Sequence, residues 1–363
     1  MIYKNLIKPV LFKLDAERMH NFTINLGNKL SNYSIAKNLM KKLYYYENEK
    51  LNLNLFNIHF KNPIGLAAGF DKNALLTGII PYVGFGFMEI GSVTALPCPG
   101  NPKPRLFRLP EDKALVVNYG LYNYGAKRIY NKLKNKEFLI PTGISIAKTN
   151  LPGIYDDKAI EDYCKSFKLL NKIGDYITMN ISCPNAEAGT TFCEDSLALN
   201  KLLMKIRNIN DKKLIFLKVS PDINKEQLNK IIKLSKKYNV KALILSNLSK
   251  ERSKLKLKTS KEVLDEYGKG GISGLPIKNI SNNLIKETYK LSKGKICIIG
   301  CGGIFNANDA YEKLKYGASL LQLITGMIYE GPRVIKNINK GLVKLIEENN
   351  FKDITEVIGY KNI

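Results

Sequence analysis

Residues 300–332 read GCGGIFNANDAYEKLKYGASLLQLITGMIYEGP. The apolar run ICIIG (296–300) leads into the glycines, an amphipathic stretch follows, and a second apolar run, SLLQL (319–323), ends at Thr325 and Gly326. A short apolar run, a helical stretch and another short apolar run form the repeating unit of a parallel sheet buried on both faces. Moving back along the chain, the same pattern recurs. IGLAA (64–68), FMEIG (87–91), GISIA (143–147), YITMN (176–180), LIFLKV (214–219) and ALILS (242–246) are further strand candidates. Helical stretches such as NKEQLNKIIKLSKKY fall between several of them. Eight such units predict an α/β fold, a (β/α)8 or TIM barrel.

Polar residues follow the strand candidates. They are Gly69 and Lys72, Ser92, Ser145 and Lys148, Asn180 to Asn185, Lys218, Ser246 and Asn247, Gly302 and Gly303, and Thr325 and Gly326. In a barrel the C-terminal strand ends meet on one face, where active sites are built. Glycines after the seventh strand let backbone N–H groups come close to a phosphate, and Thr325 with Gly326 closes the cup. Lys218, inside a barrel mouth, needs an anion. NISCPN (180–185) sets Cys183 in a turn between two asparagines. A thiol has a reference pKa of about 8.5, so a modest shift supplies a base near neutral pH.

The remaining composition narrows the function. The chain has 363 residues, 45% of them apolar, enough for a barrel plus a small appendage. The formal net charge of +25 suits an anionic membrane surface, although the lysines are scattered, as compositional drift would leave them. Six cysteines form no CxxC pair, which reads as a reduced protein. His20 and His59, the only histidines, are too few for most His-based metal sites, and no metal is expected. No apolar run approaches a membrane span, and the charged first residues do not read as a signal peptide. Residues 1–45 read as helices, with a kink or break at Pro9, a cap at Asp15 and Met19, Phe22, Leu26 and Leu30 on one side. Such helices lie on a membrane or pack on the barrel or a partner. The barrel itself is expected over residues 46–363.

The motifs NPIGLAAGFDKNA, GFGFMEIGSVTALPCPGNPKPRLFRLPED, NISCPN, LKVSPD, GGISGLPI and GASLLQLITGMIYEGP, in this order, resemble those of the dihydroorotate dehydrogenases. The N-terminal helices and NPKPRLFRLPED resemble the membrane-associated, quinone-linked branch. The resemblance implies an FMN enzyme of pyrimidine synthesis that oxidises dihydroorotate to orotate, with quinone as acceptor. It implies a peripheral protein on the cytoplasmic side of the membrane. Cys183 stands at the position of the base that takes the C5 proton while hydride leaves for flavin N5; the quinone-linked branch usually has serine there. Lys218 is implied to stabilise charge on the flavin. Ala68, Gly69, Lys72, Ser92, Ser145, Asn180, Ser246, Gly274, Gly302, Gly303, Thr325 and Gly326 are implied to hold FMN. Lys72, Asn118, Asn180, Asn185 and Asn247 are implied to contact substrate, and His20 and Arg108 to line a quinone tunnel. Four positions depart from the family pattern. Val117 stands for a substrate asparagine, with Asn118 one step away, Ser145 for a flavin-contacting asparagine, Leu248 for a threonine and Ile324 for a tyrosine.

Other readings use the same residues. A soluble oxidant, fumarate or NAD through a partner subunit, would replace quinone; acceptor profiling separates these. A flavin barrel acting on RNA, like the dihydrouridine synthases, would show steeply salt-dependent RNA affinity; no aromatic-rich basic segment supports it, and no nucleic acid is expected. A non-catalytic membrane-surface binder would not retain FMN. If Cys183 is the base, Cys183→Ser slows flavin reduction sharply near neutral pH, as serine needs stronger activation. Stopped-flow reduction at the parental rate would exclude that role.

Overall fold

The computed structural model describes residues 3–182 and 191–362. Eight parallel strands form a closed barrel in chain order: Ile64–Leu66, Phe87–Val93, Thr142–Ile146, Tyr176–Asn180, Leu214–Val219, Ala242–Leu245, Cys297–Cys301 and Leu320–Leu323. Leu321, Gln322 and Leu323 pair with Ile64, Gly65 and Leu66 to close the ring. All eight expected strands are present, with ends shifted by at most two residues. They are legible because strands covered by helices outside and side chains inside are apolar throughout. Tyr176 and Phe216 stack in the interior with ring centroids 4.3 Å apart.

Two smaller sheets were not expected. An antiparallel pair, Leu53–Leu55 with Ile58–Phe60, precedes the barrel. A three-stranded sheet pairs Ala114–Val117 with both Leu106–Leu109 and Gly271–Gly274, all antiparallel. The Tyr329 hydroxyl lies 2.8 Å from the Ala114 carbonyl and 3.0 Å from that of Leu109, tying this sheet to the chain after the eighth strand.

The N-terminal segment is helical, as expected. A π-helical turn, Tyr3–Ile7, runs into an α-helix, Lys8–Lys13, followed by Ala16–Leu30 and Ser34–Tyr44. Pro9 does not break it. It occupies the first turn of the α-helical part, where its missing N–H costs no hydrogen bond. Asp15 caps the next helix, accepting from the Arg18 N–H at 2.7 Å. That helix turns Ala16, Glu17 and Ile24 inward and leaves Phe22 and Leu26 exposed. With Leu6, Val10, Ile35 and Leu39, also exposed, they give the helical segment an apolar outer face. Among the described residues no helix is long and apolar enough to cross a membrane.

A buried ion pair docks the helices. Arg105 donates from Nη2 to Glu17 Oε1 at 2.9 Å and from Nε to both carboxylate oxygens at 3.2 Å. Its Nη1 satisfies the carbonyls of Pro99 and Asn101, each at 2.9 Å. Both side chains are almost fully buried. Removing one partner leaves the other charge desolvated, at a cost of about 3–5 kcal/mol. Glu17→Ala is therefore expected to loosen the helices, read as faster amide exchange in Ala16–Leu30 and a lower urea midpoint. Unchanged exchange would mean that apolar contacts alone hold them.

Candidate active site

The C-terminal strand ends open into one cavity, roofed by the three-stranded sheet and flanked by the N-terminal helices. Among the described residues its wall carries Ala68, Gly69, Lys72, Ser92, Asn180, Lys218, Ser246, Asn247, Gly274, Gly302, Gly303, Thr325 and Gly326. Eleven of the twelve positions expected at FMN, besides Lys218, thus share one surface with it; Ser145 lies just behind. Its hydroxyl contacts that of Ser92 at 2.8 Å.

A network of hydroxyls and amides fixes the floor. Asn180 Nδ2 donates to Ser92 Oγ at 2.9 Å. Asn247 Nδ2 sits 3.2 Å from Asn180 Oδ1 and 3.0 Å from Ser182 Oγ. The Ser182 hydroxyl donates to the Lys218 carbonyl at 2.9 Å, and the Tyr163 hydroxyl holds the Asn180 carbonyl at 2.7 Å. Such networks hold amide edges at fixed angles, which suits recognition of a flat ring with alternating donors and acceptors. Cys183 and Asn185 lie outside the described residues.

Two lysines supply positive charge. Lys218 is 5% exposed, and no hydrogen bond or ion pair among the described residues meets its ammonium. Lys72 Nζ lies 3.2 Å from His20 Nε2 and 3.8 Å from the Tyr119 ring centroid. Burial pushes Lys72 down to about 7, against the pull of Glu17 and Asp71. Burial also lowers His20 well below its usual value, helped by the Lys72 charge, so its imidazole is neutral and can accept from Lys72. Among the described residues a neutral imidazole and a ring stand directly beside this ammonium, which makes it a ready partner for an anionic group.

The far end of the cavity is a cup. Gly303, at φ +69°, lies against Lys278, and Gly326 packs on the Ile304 carbonyl. A Cβ there would stand 2.4 Å from Lys278 Cβ and 2.0 Å from the Ile304 oxygen. Ser273 and Thr325 share a hydroxyl contact at 2.8 Å across the cup. Glycine is thus required to bring these turns together, as a phosphate-sized cradle needs.

Not every expected residue reaches the cavity. Asn118 accepts from Asn101 Nδ2 at 2.8 Å, its own N–H bonds the Arg105 carbonyl, and it is not on the wall. Val117 is on the wall, with Leu248 and Ile324. Arg108 also lies off it, donating to the Leu14 carbonyl at 2.7 Å with its guanidinium 4.8 Å from the Phe12 ring, whereas His20 lines it. Leu106, Leu115, Tyr122 and Ser273 on the roof were not singled out from the sequence. The one available signal was PEDK (110–113) between two short apolar runs, a hairpin pattern. No cluster of metal-ligating side chains occurs among the described residues.

Comparison with known proteins agrees with this geometry. Residues 50–346 match the family model described as dihydroorotate dehydrogenase. The chain is 40% identical to the dihydroorotate dehydrogenase (quinone) of Nostoc punctiforme, covering 99% of this chain and 98% of the relative. It is 42% identical to that of Crocosphaera subtropica, covering 87% and 84%. The crystal structure of DHODH from Eimeria tenella in complex with ferulenol superposes with a TM-score of 0.83 at 26% identity, covering 96% of each chain.

The cup gives a direct test. Gly326→Ala forces a methyl group against backbone and is expected to cost about 1–3 kcal/mol, as overpacking does. A urea melt matching the parent would show that the helix after the eighth strand can shift freely.

Proposed function

The chain belongs to the dihydroorotate dehydrogenase family, and from that premise we propose that it oxidises (S)-dihydroorotate to orotate on bound FMN and passes the electrons to quinone. This is an oxidoreductase acting on CH–CH bonds, in pyrimidine biosynthesis. The observation that carries the reading is the convergence of Lys72, Asn180, Asn247 and Lys218 with the glycine cup on one cavity.

The residues present fit FMN. The cup formed by Gly303, Thr325 and Gly326 suits its phosphate, and the buried Lys218 ammonium suits a ring that becomes electron-rich. When bound, FMN supplies the hydride acceptor. The chain supplies the rest. Asn180 and Asn247 present amides to the ring edge of the substrate, and Lys72 meets its carboxylate. Cys183 takes the C5 proton as thiolate. Lys218 offsets the negative charge that develops in the cavity. Val117, Leu248 and Ile324 put aliphatic groups on the cavity wall, so orientation rests on the remaining amides and Lys72.

The relatives' quinone-linked name supports quinone over fumarate or NAD. The apolar outer face of the N-terminal helices supports docking of residues 1–45 on a membrane surface, with His20 where that segment meets the cavity. Arg108 acts from behind, holding the helical segment at Leu14.

Orotate formation by the purified chain, with a quinone analogue as acceptor, tests the reading; flavin-loaded protein without turnover would refute it. The pH dependence tests Lys72 separately. Free Lys72 titrates at about 7, and a bound carboxylate favours its charged form and so raises that value. Orotate affinity should therefore be greatest below about pH 7. It should weaken by up to about tenfold per unit above that, until the pKa of the complex is reached. Lys72→Met should abolish the dependence.

A further inference from the structure

The barrel interior beneath the cavity is not apolar throughout. Glu89, on the strand Phe87–Val93, is fully buried. The Thr178 hydroxyl donates to one of its carboxyl oxygens at 2.6 Å. The other oxygen has no hydrogen-bond partner among the described residues. The Gln322 amide and the Tyr176 hydroxyl, also buried, face the same carboxyl without reaching hydrogen-bond geometry. Each unsatisfied buried polar group costs about 1–3 kcal/mol. Packing alone gives no reason for a carboxyl, an amide and a phenol to share the centre of a barrel that aliphatic side chains usually fill.

The cluster adjoins Lys218. Thr178 and Asn180 lie two apart on one strand, so they share its inner face. Asn180 is in register with Lys218 on the next strand. The ammonium of Lys218 and the carboxyl of Glu89 feel each other's charge. We propose that Glu89 is a positioning residue for the redox step: its carboxyl opposes the Lys218 ammonium from the barrel floor and sets how much positive charge reaches the cavity. The proposal rests on the flavin reading above.

Lys72 on the cavity wall and Lys313 behind Cys301 are both pushed by burial down to about 7, in the parent and in a Glu89 variant alike, so they cancel when the two are compared at one pH. Burial raises Glu89 above the usual carboxyl range, while Lys218 pulls it back. Tyr176, on the same strand as Thr178, is raised well above 10 by burial and stays neutral. Cys301, on the seventh strand, is raised by burial against the pull of Lys218 and Lys313. Thr178 and Gln322 do not titrate. Above the Glu89 pKa its carboxylate offsets Lys218; below it the acid is neutral and Lys218 acts alone. The Glu89 contribution therefore makes negative charge in the cavity less stable at alkaline pH than at acid pH.

Glu89→Gln keeps the shape of the side chain and an acceptor for Thr178, so it separates charge from packing. The potential of the bound flavin is measured against reference dyes across the pH range. Where the carboxylate is charged the variant should lie higher by about tenfold in the two-electron equilibrium, or about 30 mV, and the two should converge as pH falls. Coincident potentials at every pH overturn the proposal. A urea double-mutant cycle with Lys218→Met on the full chain tests the same coupling without relying on flavin. Lys218→Met should destabilise the parent more than it destabilises Glu89→Gln, by about tenfold in the unfolding constant; additive losses overturn the proposal. A chain that binds no flavin would sink the functional reading and leave the result of this cycle intact.

Discussion

Closure of the parallel sheet is the constraint on which the site depends. When Leu321–Leu323 pair with Ile64–Leu66, every strand runs the same way and every C-terminal end opens on the same side. Lys72, Ser92, Asn180, Lys218, Asn247, Gly303 and Thr325 lie on or just after seven different strands, yet they line one cavity. In an open sheet those on distant strands, such as Lys72 and Lys218, would not meet. The apolar layers around the barrel offset the cost of holding two lysines and several amides with little water.

The barrel makes only the floor. The roof is the antiparallel sheet of Leu106–Leu109, Ala114–Val117 and Gly271–Gly274, and the N-terminal helices form one side through His20. Arg105 joins both. It precedes the first roof strand, binds Glu17 on the helix and braces the Pro99 and Asn101 carbonyls. The neutral His20 beside Lys72 shows how this cap reaches the chemistry. A cationic imidazolium there would repel the Lys72 ammonium.

The barrel was legible because a strand buried on both faces is an apolar run, and the polar residues that follow such runs are conspicuous. The roof was not. Its strands are four residues long, too short for a period to register, and one of them is GISG, a poor strand former on composition. Glu17 on an apolar helix reads as solvent-facing, because its partner is 88 residues away. Val117 and Asn118 differ by one step, and alternation along a strand sends neighbours to opposite faces. Register alone decides which of them sees the cavity, and the pairing of Val117 with Leu106 and Gly271 decides for Val117.

The ring closes between its first and last members, which lie at opposite ends of the chain. During synthesis the growing polypeptide therefore carries an incomplete sheet with two unpaired edges until Leu320–Leu323 emerges. Such edges invite pairing with other chains. The same delay leaves the cradle at Gly326 unassembled, so a nascent chain cannot be rescued by its own ligand. Protection in that interval falls to whatever shields the translating chain, and the cavity can be filled only once the eighth strand and Gly326 have emerged.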